Sequence, residues 1–193
     1  MKISLVLLAA GGSRRFDGNK LLEEIGQKPM YRHIVDEIRE NAEHTFADKI
    51  IVTQYEEIAQ AMEQEGYRVV RNDNVERGLS WSVRLGLAAA VERTGEEQAA
   101  VCFAVCDQPY LKGNTVGRFL KEWEKSGKGL GCLGYQGRLG NPAVFSSAYF
   151  DRLRELDGDR GGRSLIAMYQ DDVFVFEADD ERELEDIDMR RNL

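Results

Sequence analysis

From Ile3 to Lys125 the chain switches repeatedly between two hydrophobic periods, and this switching restricts the fold more than any other feature. Short runs rich in apolar and β-branched residues read as strands at Ile3–Ala9, Lys49–Thr53, Arg68–Arg71 and Ala100–Cys106. Helical patterns lie between and after them, at Pro29–Glu40, Glu56–Gln64, Ser80–Arg93 and Thr115–Lys125. In the first of these, Tyr31, Ile34, Val35 and Ile38 share one face; Ile58, Ala59 and Met62 do the same in the second. A strand, a covering helix and a second strand return parallel to the first, so the pattern predicts an α/β fold with a mostly parallel sheet and helices on both faces. Further strands are expected at Gly129–Tyr135, Pro142–Ser146 and Val173–Phe176, and a helix at Ala148–Leu156. No repeat or Pro/Ser-rich linker divides the chain, and 193 residues suit one compact core, so residues 1–193 are expected to form one domain.

Charged residues make up 31% of the chain and no apolar stretch has the length of a membrane span, as in soluble globular proteins. The N-terminus lacks a cleavage-site pattern, so no signal peptide is expected and the expected location is cytoplasmic. The net charge is −8, and Asp171–Leu193 alone holds ten acids against three bases. Without a basic stripe, no nucleic-acid partner is expected. Most acids of the tail are expected to be solvated, with little effect from changes at Asp179 or Glu183. Cys102, Cys106 and Cys132 are too few for a disulfide framework and lack zinc-site neighbours, so they read as buried thiols. Nine of the 19 glycines lie between Gly127 and Gly162, which predicts turn-rich substrate loops in that half.

Two strand ends carry chemistry. The first strand empties into Ala9-Ala10-Gly11-Gly12-Ser13, followed by Arg14, Arg15 and then Lys20. Glycine allows backbone N–H groups to converge and places no Cβ before an incoming anion. The cations supply charge for phosphate oxygens. The loop therefore suits a nucleoside triphosphate; the alternative is an ordinary turn with exposed basic residues. It is not a Walker A loop, because Asn19 and Lys20 follow Gly18, and no G-x-G-x-x-G begins at Gly11 or Gly12. The run Ala100–Cys106 ends at Asp107-Gln108-Pro109. A carboxylate at a strand's carboxyl end is well placed to hold Mg²⁺ on a triphosphate; the alternative is an Asp that caps the following turn. The loop from Gly11 to Lys20 and Asp107 are expected at the same sheet edge.

The string from Leu8 to Lys20 closely resembles the signature L-A-A-G-x-S-x-R-M-G-x-x-K of Rossmann-like nucleotidyltransferases, and in particular that of the molybdenum cofactor nucleotidyltransferases. Phe16 stands where Met is usual, and Asp17 where Gly is usual. The resemblance implies a three-layer Rossmann-like nucleotidyltransferase fold. It implies nucleotide binding by Leu8, Ala9, Ala10, Gly11, Gly12, Ser13, Arg14, Arg15 and Lys20. Arg15, Lys20 and Asp107 become the implied catalytic set. The segment Glu76–Leu87 is similar to the family segment near base and ribose, which adds Gly78, Ser80 and Ser82; by itself it reads as a helix start with Ser80 as N-cap. Acceptor-side segments of the family resemble Gly140-Asn141-Pro142 and the loop with Asp159, Gly161 and Arg163, joined by Gln108 and Pro109. The ending Asp186-Ile187-Asp188 resembles the family's Asp-Ile-Asp-Thr-Pro without its Thr-Pro, and implies Asp188 as a metal ligand beside Asp107.

The reaction implied by the resemblance is cytidylyl transfer from CTP to the terminal phosphate of molybdopterin, with Mg²⁺ as cofactor and release of pyrophosphate. Ala-Ala-Gly, Asp-Gln-Pro and Ser-Val-Arg-Leu-Gly-Leu look like the cytidylyl branch, and the Gly-Pro-Leu-Ala-Gly segment of the guanylyl branch is missing. The alternatives are guanylyl transfer to the same cofactor, transfer to a sugar or polyol phosphate, and a nucleotide or cofactor carrier without turnover. The implied partners are small-molecule substrates and, transiently, a molybdoenzyme or its maturation factor, with no nucleic acid and no membrane.

Overall fold

A computed structural model of the chain describes residues 1–11, 19–97 and 99–187. In chain order the elements are β1 (Lys2–Ala9), β2 (Glu24–Ile25), β3 (Lys28–Pro29), α1 (Met30–Asn41), β4 (Asp48–Thr53), α2 (Glu56–Gln64) and β5 (Arg68–Arg71). Then follow α3 (Leu79–Thr94), β6 (Ala99–Val105), α4 (Gly113–Ser126), β7 (Leu130–Tyr135), β8 (Arg138–Ser146), α5 (Phe150–Arg154), α6 (Arg163–Met168) and β9 (Val173–Glu177). Seven strands form one α/β sheet in the order β5-β4-β1-β6-β8-β7-β9, while β2 and β3 make a separate antiparallel ribbon. Neighbours are parallel except at β8, which runs antiparallel to both β6 and β7.

Side-chain alternation along the strands divides the core into two layers. Leu5 and Leu7 of β1 and Cys102 and Ala104 of β6 pack with Met30 and Ile34 of α1, Ile58 and Met62 of α2, and Phe119 and Trp123 of α4. Val6 of β1 and Val101 and Phe103 of β6 face the other way, onto Val83 and Leu87 of α3, Phe150 of α5 and Ile166 of α6. Helices therefore cover both faces. Cys102 and Cys106 lie in the same layer, as strand alternation requires. Among the described residues, no helix is long and apolar enough to cross a membrane.

Helices α1 and α4 approach so closely that glycine is needed at the crossing. A Cβ on Gly113 would lie 2.0 Å from the Glu37 carbonyl oxygen and 2.8 Å from Asn41 Cβ. The Gly113 N–H also donates to Glu37 Oε2 at 3.0 Å. Gly113→Ala is expected to cost about 1–3 kcal/mol, because backbone rather than a pliable side chain stands in the way. Chemical denaturation would read this as a lower midpoint; an unchanged midpoint would mean that the two helices separate at no cost.

The structure corrects several expectations. β8 begins at Arg138, four residues before the expected Pro142, because the Gln136-Gly137 turn (φ 48° and 85°) folds it straight back onto β7. Its first half is polar and gives no strand period. The expected helix Ala148–Leu156 is a 3₁₀ turn over Ser147–Tyr149 followed by the short α5. Arg163 opens a helix where only a loop was expected. The tail is less solvated than its charge predicts. Glu183 is 3% exposed and accepts from the Lys112 N–H at 3.1 Å, at the start of α4. Lys112 has no capping side chain of its own, so this carboxylate from the tail satisfies an end of the helix that favours negative charge. Asp172 likewise accepts from the Gly129 N–H at 3.0 Å and the Tyr149 hydroxyl at 2.8 Å. Asp179 is exposed and pairs with Arg118.

Candidate active site

Leu8 of β1 lies opposite Val105 of β6, so both strands release the chain at the same edge, with Gly11 and Asp107 as near neighbours of that edge. The exit from β1 is held from the side by β4, whose Thr53 is level with Ala9. Thr53 Oγ1 donates to the Ala9 carbonyl at 3.1 Å, Gln54 Nε2 to the Ala10 carbonyl at 2.9 Å, and the Tyr55 hydroxyl to the Gly11 carbonyl at 2.9 Å. Three successive side chains thus direct the chain into the glycine loop. A Cβ on Gly11 would meet nothing within 4 Å, so this residue borders open space.

That space is a cavity of about 450 Å³ at the carboxyl edge of the sheet. Leu8, Ala10, Gly11 and Lys20 line it on one side, with Gly78, Ser82, Asp107, Asn141, Asp159 and Asp186 around the rest. Lys20 opens a 3₁₀ turn whose N-cap, Asn19, accepts from the Leu21 N–H at 3.0 Å, while Leu21 is buried as the anchor. From there Lys20 Nζ reaches Asp107 Oδ2 at 2.6 Å and the Ile187 carbonyl at 3.3 Å. The other oxygen, Asp107 Oδ1, is buried and has no hydrogen-bond partner among the described residues.

The opposite wall is built by the start of α3. Gly78 has φ 79° and is the N-cap, so Ser80 does not take that place. A Cβ on Gly78 would sit 2.5 Å from the Gly158 backbone, and the Ser80 N–H donates to the Gly158 carbonyl at 3.0 Å. This contact brings the segment near Gly78 against the loop that carries Asp159. Ser80 itself is buried and does not line the cavity. Ser82 does, and its hydroxyl accepts from Asn72 Nδ2 at 2.9 Å.

A smaller cavity of about 60 Å³ adjoins the first, with Asn141 and Asp186 on the walls of both. Gln108, Gly140 and Arg163 line it, together with Arg138. Gln108 is 1% exposed and its Oε1 lacks a hydrogen-bond partner among the described residues. Other expected site residues are placed elsewhere. Ala9 packs in the core, Pro109 and Pro142 are buried and line neither cavity, and Gly161 lies beneath Leu79. Gly12, Ser13, Arg14, Arg15 and Asp188 lie outside the described residues.

Asn72, Val75, Leu79 and Arg138 line these cavities without having been singled out in the sequence. Asn72 follows the carboxyl end of β5, and the rule that found Asp107 at the end of β6 would have found it too. Arg138 carries no such mark, since it begins a strand rather than ending one.

The two thiols near the site are held protonated. Burial raises the Cys106 pKa, and the neighbouring Asp107 charge raises it further. Burial pushes Cys132 up to about 11, with Arg163 opposing the shift. Neither supplies a thiolate nucleophile at neutral pH. Asp107 Oδ1 and the Asp186 carboxylate are oxygen donors of the type that hard divalent cations accept. Among the described residues no three His, Cys, Asp or Glu side chains form a metal cluster.

A family profile described as MobA-like NTP transferase domain matches residues 5–173. A probable molybdenum cofactor guanylyltransferase of Thermococcus gammatolerans is 32% identical over 152 residues, covering 77% of this chain and 72% of the relative. One from Pyrococcus horikoshii is 29% identical over 160 residues, covering 83% and 76%. A nucleotidyl transferase structure from Methanothermobacter thermautotroptrophicus matches with a TM-score of 0.81 at 24% identity, over 99% of this chain and 94% of that one. A Mycobacterium tuberculosis protein in complex with manganese matches with a TM-score of 0.72 at 22% identity, over 92% and 89%. At such identity these two structures speak for the fold.

Proposed function

This chain belongs to the MobA-like NTP transferase family, and we propose on that premise that it transfers a nucleotidyl group from a nucleoside triphosphate to the terminal phosphate of a molybdenum cofactor. The observation that carries this reading is the Lys20–Asp107 pair on the wall of the larger cavity, with the second Asp107 oxygen still unengaged among the described residues. An acceptor phosphate oxygen attacks the α-phosphorus, a new P–O bond forms, and the bond to the β-phosphate breaks as pyrophosphate leaves with its electron pair. The nucleophile is already anionic, so no general base is required. Positioning and charge neutralisation remain for the protein to supply.

In this reading Lys20 serves the second task. Its ammonium lies against the cavity and can meet the charge that gathers on the leaving pyrophosphate. Asp107 would hold Mg²⁺ or Mn²⁺ with Asp186 or Asp188, and such a cation neutralises phosphate charge when bound. The main chain around Gly11 borders the donor phosphates in this reading. The acceptor side falls to Gln108, Gly140, Asn141 and Arg163 at the smaller cavity, where Arg138 adds a second guanidinium suited to an anionic acceptor.

The donor base is where motif and relatives diverge. The Ala-Ala-Gly loop resembles the cytidylyl branch, whereas the two archaeal relatives are named guanylyltransferases. We take guanylyl transfer as the better supported, because those alignments run over three quarters of the chain or more rather than over a loop variant. Pyrophosphate release should be measured with molybdopterin and each of the four nucleoside triphosphates. GTP is expected to give the highest kcat/KM; highest turnover with CTP would restore the cytidylyl reading, and turnover with sugar phosphates alone would replace the acceptor.

A further inference from the structure

The family match ends at residue 173, yet the segment beyond β9 reaches the centre of the site. It is fastened at several points. Glu183 accepts from the Lys112 N–H at 3.1 Å, and Arg138 donates to the Leu184 carbonyl at 3.0 Å. The Leu184 side chain packs against Gly140, where a Cβ would come within 2.9 Å of it. Ile187 is 0% exposed, and its N–H donates to the Asp107 carbonyl at 3.0 Å. Its own carbonyl accepts from Lys20 Nζ at 3.3 Å, and Lys20 Nζ meets Asp107 Oδ2 at 2.6 Å. Lys20, Asp107 and Ile187 therefore close a ring of three bonds.

We propose that Glu183–Ile187 is a strap that sets the geometry of the catalytic pair, with Ile187 as its positioning residue; this rests on the nucleotidyl-transfer reading. An ammonium on a four-carbon stem can turn freely around a single carboxylate. A further acceptor at a fixed place narrows the directions open to it. That acceptor is a neutral carbonyl, so it orients the ammonium without cancelling the charge that the phosphates need. The carbonyl stays in place because the Ile187 side chain is locked in the core and its N–H is bonded to Asp107 itself.

The test compares Ile187→Ala with the conservative Ile187→Val. In Ile187→Ala, kcat is expected to fall on the order of tenfold to a hundredfold, as for a small misplacement of a catalytic group. GTP affinity, titrated with Mg²⁺ present, is expected to change less than about twofold. Ile187→Val should recover most of the turnover. A second readout does not depend on catalysis: acetylation of Lys20 by acetic anhydride, followed by peptide mass spectrometry. Lys20 should react several times faster in Ile187→Ala than in the parent protein, with exposed Lys121 unchanged, and Ile187→Val should lie between. Unaltered Lys20 labelling with unaltered kcat would overturn the strap, and so would a proportional loss of GTP affinity and kcat that Ile187→Val does not relieve. If Ile187→Ala fails to fold, labelling of Ile187→Val decides. A parent protein inactive with all four nucleotides would overturn the transfer reading alone, since Lys20 labelling would still report on the strap.

Discussion

Asp107→Asn is expected to lower kcat about a thousandfold, the equivalent of the several kcal/mol that a bound cation's charge contributes to a phosphoryl transition state. The substitution keeps the size of the side chain, and the main-chain bond from Ile187 to residue 107 is untouched, so the fold should survive. Two things are lost together. The carboxylate no longer offers Oδ1 to a cation, and the Lys20 ammonium loses the charged partner 2.6 Å away. An amide in that place can even turn its NH₂ towards the ammonium, donor against donor. Activity should be followed against Mg²⁺ concentration, with circular dichroism to show that the fold is retained. Parental kcat and parental Mg²⁺ dependence in Asp107→Asn would remove this carboxylate from the reaction.

Lys20→Ala is expected to lower kcat by about 10²–10³-fold while nucleotide affinity changes little. The asymmetry follows from where the charge appears. In the ground state the triphosphate's charge is spread over many oxygens and met by several groups, so one cation more or less matters modestly. At the transition state charge gathers on the leaving pyrophosphate, and a held ammonium acts there with little reorganisation. Lys20→Arg should restore only part of the loss. It keeps the charge, but a planar fork cannot reproduce a compact ammonium that meets a carboxylate and a carbonyl at once. Initial rates against nucleotide concentration separate kcat from KM. A raised KM at constant kcat would assign Lys20 to ground-state binding.

The parallel half of the sheet was readable because β1, β4 and β6 are apolar runs buried on both faces and α1, α2 and α4 are amphipathic. β5 and α2 match the sequence pattern residue for residue. Asp107 was readable because a carboxylate after an apolar run stands out at a strand's end. What escaped depends on contacts between segments distant in sequence. Thr53, Gln54 and Tyr55 look like ordinary residues between a strand and a helix, and gain meaning only because β4 lies beside β1. Glu183 belongs to a charge-rich run, so its composition argues for solvent; burial follows from a helix end that arrives from 71 positions away. Arg163 follows three residues of Gly and Arg, which conceal the start of α6.

The reversed direction of β8 has a consequence for how such a site can diversify. Since β8 runs against its neighbours, its beginning stands at the same edge as the ends of β1 and β6, and Asn141 reaches both cavities from there. The hairpin tip at Gln136-Gly137 therefore overhangs the rim, exposed and tied to the sheet through its two legs and through the Gln136 N–H, which donates to Glu177 Oε2 at 3.0 Å. Each pair of residues added at the tip, one to either leg, would extend the overhang by about 3.3 Å. Additions beyond Tyr135 and Leu139, which pack on the edges of the two core layers, would leave those layers in place. The reach of the rim and the packing of the sheet therefore lie in neighbouring but distinct stretches of the same polypeptide, and a change in length at the tip would redraw the first with little effect on the second.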